Sequence, residues 1–199
     1  AGADTFGEAL VGVGAHGADN ITTGAGADNI IITDNDASVV VTDFTTGASG
    51  DRLDIDVSAL IADTTMVAMS DSGGDVVGAD ATVFANYISG TGIVATDIDA
   101  GANVIVTAQA AGVNAFTDID FAGGNITLDA ATTNNNDGIV LVFYDTDGGF
   151  ASVGLLVDTD ADAGGVHDGT NDTFDEIAQL TMSVTEYNAL HTANFGFIA

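Results

Sequence analysis

The sequence predicts an all-β chain with one or two short helices, and three observations carry that expectation. Residues 14–31 write one nine-residue pattern twice, GAHGADNIT and then TGAGADNII, so that Gly17 and Gly26, Asp19 and Asp28, and Ile21 and Ile30 each fall nine apart. Short apolar runs alternate with Gly- and Asp-bearing turns along much of the 199 residues, the pattern of strands joined by turns. Proline is absent, which suits uninterrupted strands.

Hydrophobic residues make up 46% of the chain, enough for the core of one sizeable domain or two small ones. No run approaches the ~18–20 apolar residues of a membrane-spanning helix, so membrane insertion is not expected. One basic residue, Arg52, stands against 30 acidic ones, for a net charge of −29. That balance excludes binding to nucleic acid or to anionic lipid, since no basic patch exists to neutralise phosphates. Only Glu8, Glu176 and Glu186 among the acids are Glu. Asp beside Gly belongs to turns and oxygen cages, whereas a purely solubilising surface also draws on Glu. An acidic coat suited to salty water is the alternative, and it is compatible with metal binding. So many carboxylates repel one another, and divalent cations relieve that repulsion, so folding is expected to be linked to metal. Without Cys there is neither a disulfide nor a thiolate site.

Each repeat unit reads as a Gly turn, one Asp and a short apolar strand. Gly lets carbonyl oxygens crowd together, the Asp adds a carboxylate, and such hard oxygens suit Ca2+. The pattern resembles the RTX (repeats-in-toxin) family, whose motif is Gly-Gly-x-Gly-x-Asp-x-apolar-x. The resemblance implies a short parallel β-roll that continues into a β-rich C-terminal cap, with calcium between turns eighteen residues apart. Eighteen on from Asp19 is Ala37, and eighteen on from Asp28 is Thr46. Either Asp34, Asp36 and Asp43 fill in, or the missing ligands lie upstream or on a neighbouring molecule. The candidate ligands of the roll are therefore Gly17, Asp19, Gly26, Asp28, Asp34, Asp36 and Asp43.

In chain order, Gly2-Ala3-Asp4-Thr5-Phe6 repeats the Gly-Ala-Asp-x-apolar phrase, and residues 1–60 read as the end of the roll. The opening AGADTF has no initiator Met or leader, which reads as a mature fragment or the end of something longer. Residues 39–60 run from an apolar strand through Asp43-Phe44 and a Gly turn into a strand with Leu53 and Ile55 inward. Ile55-Asp56-Val57-Ser58-Ala59-Leu60 is similar to the phrase with which RTX rolls pass into their cap. Residues 61–133 form a β-rich middle segment with one helix, capped by Asp80, presenting Val83, Phe84, Tyr87 and Ile88 on one face and stopping at Gly90. TDIDAGANVIV at 96–106 and TDIDFAGGNITL at 117–128 read as two hairpins or coil corners. Residues 134–199 form the cap: a strand over Ile139–Tyr144, a turn over Asp145–Gly149 and a partner strand over Phe150–Val157. Asp158, Asp160 and Asp162 then have the spacing of a calcium loop, but Gly169 occupies the slot of the bidentate Glu, which excludes a true EF-hand. A looser loop would draw on Asp168 or Asp172. Ser183-Val184-Thr185-Glu186 is a capping box for a short helix with Tyr187 and Leu190 on one face. The apolar C-terminus looks like the uncleaved type I export signal of RTX proteins.

Catalytic motifs are missing from the sequence. His16, His167 and His191 lie far apart with no HExxH, no GxSxG occurs, and Ser72 in SDSGGD only weakly resembles a nucleophile loop. The chain is expected not to be an enzyme. It reads as a calcium-binding structural protein of the bacterial exterior, extracellular and at the cell surface, a homo-oligomer or polymer assembling through calcium into an S-layer or filament. A calcium-dependent folding and secretion module of a secreted hydrolase is the alternative. A carbohydrate-binding adhesin, with cell-surface polysaccharide as partner, is a third reading.

Overall fold

The structure, a computed structural model, describes residues 2–7, 19–33, 38–63, 68–69, 87–90, 93–94, 104–109, 112–119, 128–131, 137–159, 166–167 and 172–198. In order these form β1 (Thr5–Gly7), β2 (Asn20–Ile21), β3 (Asn29–Ile32), β4 (Val39–Val41), β5 (Arg52–Asp56), α1 (Val57–Asp63), β6 (Ala68–Met69), β7 (Tyr87–Gly90), β8 (Ile93–Val94) and β9 (Val104–Thr107). There follow β10 (Leu128–Ala131), β11 (Asp137–Asp145), β12 (Phe150–Asp158), β13 (Val166–His167), β14 (Asp172–Thr181), α2 (Val184–Tyr187) and β15 (Phe195–Ile198). The chain is thus mostly β-sheet with few short helices.

A four-stranded sheet of order β1-β3-β5-β15 is parallel throughout. A larger mixed sheet has order β2-β4-β14-β12-β11-β9-β7, with β6 on the start of β11, and β13-β10-β8 form a third sheet. The first five strands alternate between the two larger sheets, β1, β3 and β5 in one and β2 and β4 in the other. β3 and β4 bury alternate side chains, and Ile30, Ile32, Leu53, Ile55, Phe195 and Phe197 of the small sheet meet Val41, Val153, Leu155 and Leu180 of the large one in a single core. The centre of the large sheet is covered on its other face too. There Ile139, Leu141, Phe143 and Leu156 pack under Val113 and Ile119, with Phe116 stacked on Phe174 at 5.0 Å. Burial on both faces explains why Ile139–Tyr144 is an unbroken apolar run rather than an alternating one.

Several expectations hold in detail. β11 and β12 pair antiparallel about the Asp145–Gly149 turn, Leu53 and Ile55 are fully buried, and the Ser183/Glu186 capping box closes on α2 with Tyr187 and Leu190 inward. Others change. Tyr87–Gly90 is a strand rather than the end of a helix, because Ile88 lies opposite Ile105 in the parallel pair of β7 with β9. Sheet pairing there overrides the helical spacing; residues 81–86 lie outside the described residues. Phe116–Asp118 is a 3-10 turn rather than a hairpin strand, held by Asp118 Oδ2 accepting the N–H groups of Asn114 and Ala115.

Candidate functional site

The four strands of the small sheet are each preceded by a residue with a carboxylate or amide side chain: Asp4, Asp28, Asp51 and Asn194. Parallel register sets Asp4, Asp28 and Asp51 side by side and Phe6, Ile30, Leu53 and Phe195 in the row beneath them, while Asn194, directly before Phe195, falls level with Arg52 and reaches the Asp51 carbonyl through its amide. The carboxylates link the rungs. Asp28 Oδ1 accepts the N–H of Asp4 at 2.7 Å, and Asp51 Oδ1 accepts the N–H of Asp28 at 2.9 Å. Asp51 Oδ2 also accepts the N–H of Thr45 at 2.8 Å, with the Thr23 hydroxyl 3.2 Å away. At the last rung the Asn194 amide donates to the carbonyls of Asp51, Gly47 and Thr45, and its oxygen accepts the N–H groups of Gly47 and His191.

Burial makes these bonds consequential, because a polar group without a partner in such a place costs roughly 1–3 kcal/mol. Asp28, Asp51 and Asn194 are all 0% exposed. Every polar atom of the Asp51 and Asn194 side chains has a partner, whereas Asp28 Oδ2 is buried with none among the described residues. Asp54 Oδ1 and Arg52 Nε are not orphans of this kind, since they form an ion pair at 2.6 Å. Gly196 is required beside that pair, because a Cβ there would collide with Asp54 Oδ1. Gly26 has an analogous role near Asp28: at φ +154° it lies so close to the Gly2 carbonyl oxygen that no side chain fits.

Asp43 follows β4 and adjoins the row at Thr23, whose hydroxyl lies 3.0 Å from Asp43 Oδ1 and 3.2 Å from Asp51 Oδ2. Its Oδ1 accepts the Thr23 N–H at 2.7 Å and its Oδ2 the Gly24 N–H at 2.8 Å. Burial alone would raise the Asp43 carboxyl, but the N–H groups of Gly24 and Thr23 outweigh it and hold the group below its ordinary 3.8. Glu186, held below its usual value by the Ser183 N–H and hydroxyl, lines the same cleft of about 460 Å3 with Asp43, Thr42, Thr45 and Ser183.

The candidate ligands therefore divide. Asp28 and Gly26 lie together at the carboxylate row, and Asp43 lies at the neighbouring turn bound to Thr23 and Gly24. Asp19 is exposed at the start of β2, its carbonyl accepting the Val40 N–H. Asp158 lies opposite Asp172 at the ends of β12 and β14. Gly17, Asp34, Asp36, Asp160 and Asp162 lie outside the described residues, as do His16 and Ser72. The expected eighteen-residue spacing is replaced: Ile21 pairs with Val41, twenty on, and Asp28 reaches Asp4 and Asp51, 24 and 23 residues away. The turn after β4 supplies extra residues, and Asp51, rather than Thr46, stands in the slot after Asp28. Among the described residues no three His, Cys, Asp or Glu side chains gather as a metal cluster, and no helix is long and apolar enough to cross a membrane. His191 is a capping residue, its Nδ1 accepting the Ala193 N–H at 3.1 Å.

Asp4, Thr23, Asp51 and Asn194 are the members of this site that the nine-residue spacing does not select. The signal for the first and third is Asp-x-apolar at the start of a strand, Asp4-Thr5-Phe6 and Asp51-Arg52-Leu53. Compared with protein-family models, curated proteins and solved structures, the chain has no match.

Proposed function

We propose that the chain is a calcium-binding structural protein of the bacterial exterior, without catalytic activity, whose first strands form a short parallel β-roll and whose copies assemble with one another. The alternation of β1 to β5 between two sheets, with parallel pairing within each, supports the roll.

The observation that carries the calcium reading is the orphaned Asp28 Oδ2. A buried carboxylate oxygen with no donor is unfavourable unless a cation or a proton neutralises it. The Gly2 carbonyl oxygen lies against Gly26, two residues before Asp28. Asp28 and backbone carbonyls of this corner would hold the ion, and calcium there would neutralise the buried charge and tie the residues before β1 to the turn before β3. The net charge of −29 adds a general reason for bridging cations between copies.

Circular dichroism and sedimentation of the chain in EGTA, then on titration with calcium, with magnesium as control, test this reading. A calcium-specific gain of β signal and of sedimenting mass is expected. A calcium-dependent fold that stays monomeric would turn the reading to a secretion module, and no response to calcium would overturn it.

A further inference from the structure

We propose that the cleft of about 460 Å3 at the joint end of β4 and β14 binds a primary ammonium group carried on a hydroxylated stem, the chemistry of an amino sugar. The site is separate from Asp28, so the inference stands whether or not calcium binds there.

Parallel register builds the cleft. β4 and β14 run side by side to Val41 and Leu180, so the segments that follow leave the sheet together, residues 42–46 as one wall and residues 181–183 with Glu186 as the other. Phe44 and Met182, both buried, supply its apolar lining. Two carboxylates line the same space, each fixed by hydrogen bonds and each with acceptor capacity left over. Asp43 Oδ2 accepts the Gly24 N–H alone. Glu186 Oε2 takes both the N–H and the hydroxyl of Ser183, at 2.6 and 2.7 Å, which leaves Oε1 without a donor among the described residues. Both groups titrate below their ordinary values and are charged at neutral pH.

The chain has no Lys to neutralise these charges, and its one Arg, Arg52, pairs with Asp54. A cation from outside is therefore the complementary ligand, and charge-assisted hydrogen bonds to fixed carboxylates are the strong kind. Volume and donor set then separate a metal ion from an organic cation. Among the described residues no three acidic side chains gather around one point, whereas the space falls within the about 300–1,000 Å3 of small-molecule sites. The hydroxyls narrow the class further. Thr45, Thr46 and Thr181 line the cleft and their hydroxyls bond no other described residue, so they can donate to and accept from the hydroxyls of a ligand.

The test is NMR titration of the isotopically labelled full chain in EGTA at about 0.15 M salt, where diffuse attraction of cations to a chain of net −29 is screened. Glucosamine is the probe. Glucose keeps the hydroxyls without the charge, N-acetylglucosamine blocks the amine, and putrescine keeps the charge without the hydroxyls. Glucosamine should shift amides confined to residues 42–46 and 181–186, and each control should bind about tenfold more weakly or worse. Glu186→Gln keeps an acceptor for the Ser183 cap, and should weaken glucosamine about tenfold with unchanged circular dichroism. Thr181→Val should weaken it about threefold. A glucosamine tetramer that binds more tightly than the monomer identifies a glycan as the source of the amino sugar, and equal affinity identifies the free sugar. No binding at millimolar glucosamine, shifts spread over Asp-rich turns elsewhere, a control that binds as well, or undiminished binding by Glu186→Gln overturns the proposal.

Discussion

Asp51 accepts the backbone N–H of Asp28 at 2.9 Å across 23 residues, with both side chains wholly buried. The bond joins β3 to β5 outside the ordinary ladder, and Asp51 Oδ2 simultaneously pins the turn after β4 through Thr45 N–H. Asp51→Ala orphans both donors, while the Thr23 hydroxyl keeps Asp43 Oδ1 as its acceptor at 3.0 Å, so a loss of about 2–4 kcal/mol in urea unfolding is expected. Asp51→Asn keeps one acceptor oxygen and should lose less. Equal losses for the two variants would show that the side chain's volume, rather than its acceptors, is what matters.

Asn194 presents one NH2 group to the carbonyls of Asp51 at 2.7 Å, Gly47 at 3.2 Å and Thr45 at 3.4 Å. Asn194→Asp turns that donor into a third kind of acceptor among carbonyls, and buries a charge. It should destabilise the chain by about 3 kcal/mol or more, beyond the loss from Asn194→Ala. Urea midpoints of the two variants at neutral pH decide it; an Asp variant as stable as the Ala variant would mean that the turn relaxes around the charge.

The strands of the core were legible because their pattern is local. Leu53 and Ile55 alternate with charged neighbours, and Ile139–Tyr144 is apolar throughout, as a strand covered on both faces must be. β14 was not legible: DTFDEIAQLT mixes acids with apolar residues and bulges where Gly154 meets Glu176, yet it lies between β4 and β12. Its buried residues Ile177, Ala178 and Leu180 make sense only once those partners are in place. The site was legible in part for the same reason. Asp28 follows from the repeat, whereas Asn194 joins Asp51 from 143 residues away, a relation that no local spacing encodes.

Acid should act through Asp43 and Glu186, whose carboxyls are held below their ordinary values of 3.8 and 4.5 by N–H and hydroxyl donors. A group that titrates lower folded than unfolded stabilises the fold fully above its unfolded value, and that contribution fades as pH falls through the lowered one. Their share of stability is therefore flat from neutral pH down to about 4.5 and declines below 3.8. Urea midpoints between pH 7 and pH 2.5 should show a shallower acid decline in Asp43→Asn than in the parent chain. A parallel decline would assign the acid sensitivity to other carboxylates.

Asp28→Asn separates calcium binding from folding. The amide oxygen can go on accepting the Asp4 N–H, while the orphaned oxygen is replaced by a neutral NH2 group. In EGTA this removes a buried unpaired charge, so stability should be unchanged or higher by about 1–2 kcal/mol. In calcium the order should reverse, because the parent chain gains binding energy that grows with free ion and the variant does not. Thermal or urea midpoints of both proteins across a calcium titration check this. If the two curves stay parallel, calcium does not bind at Asp28.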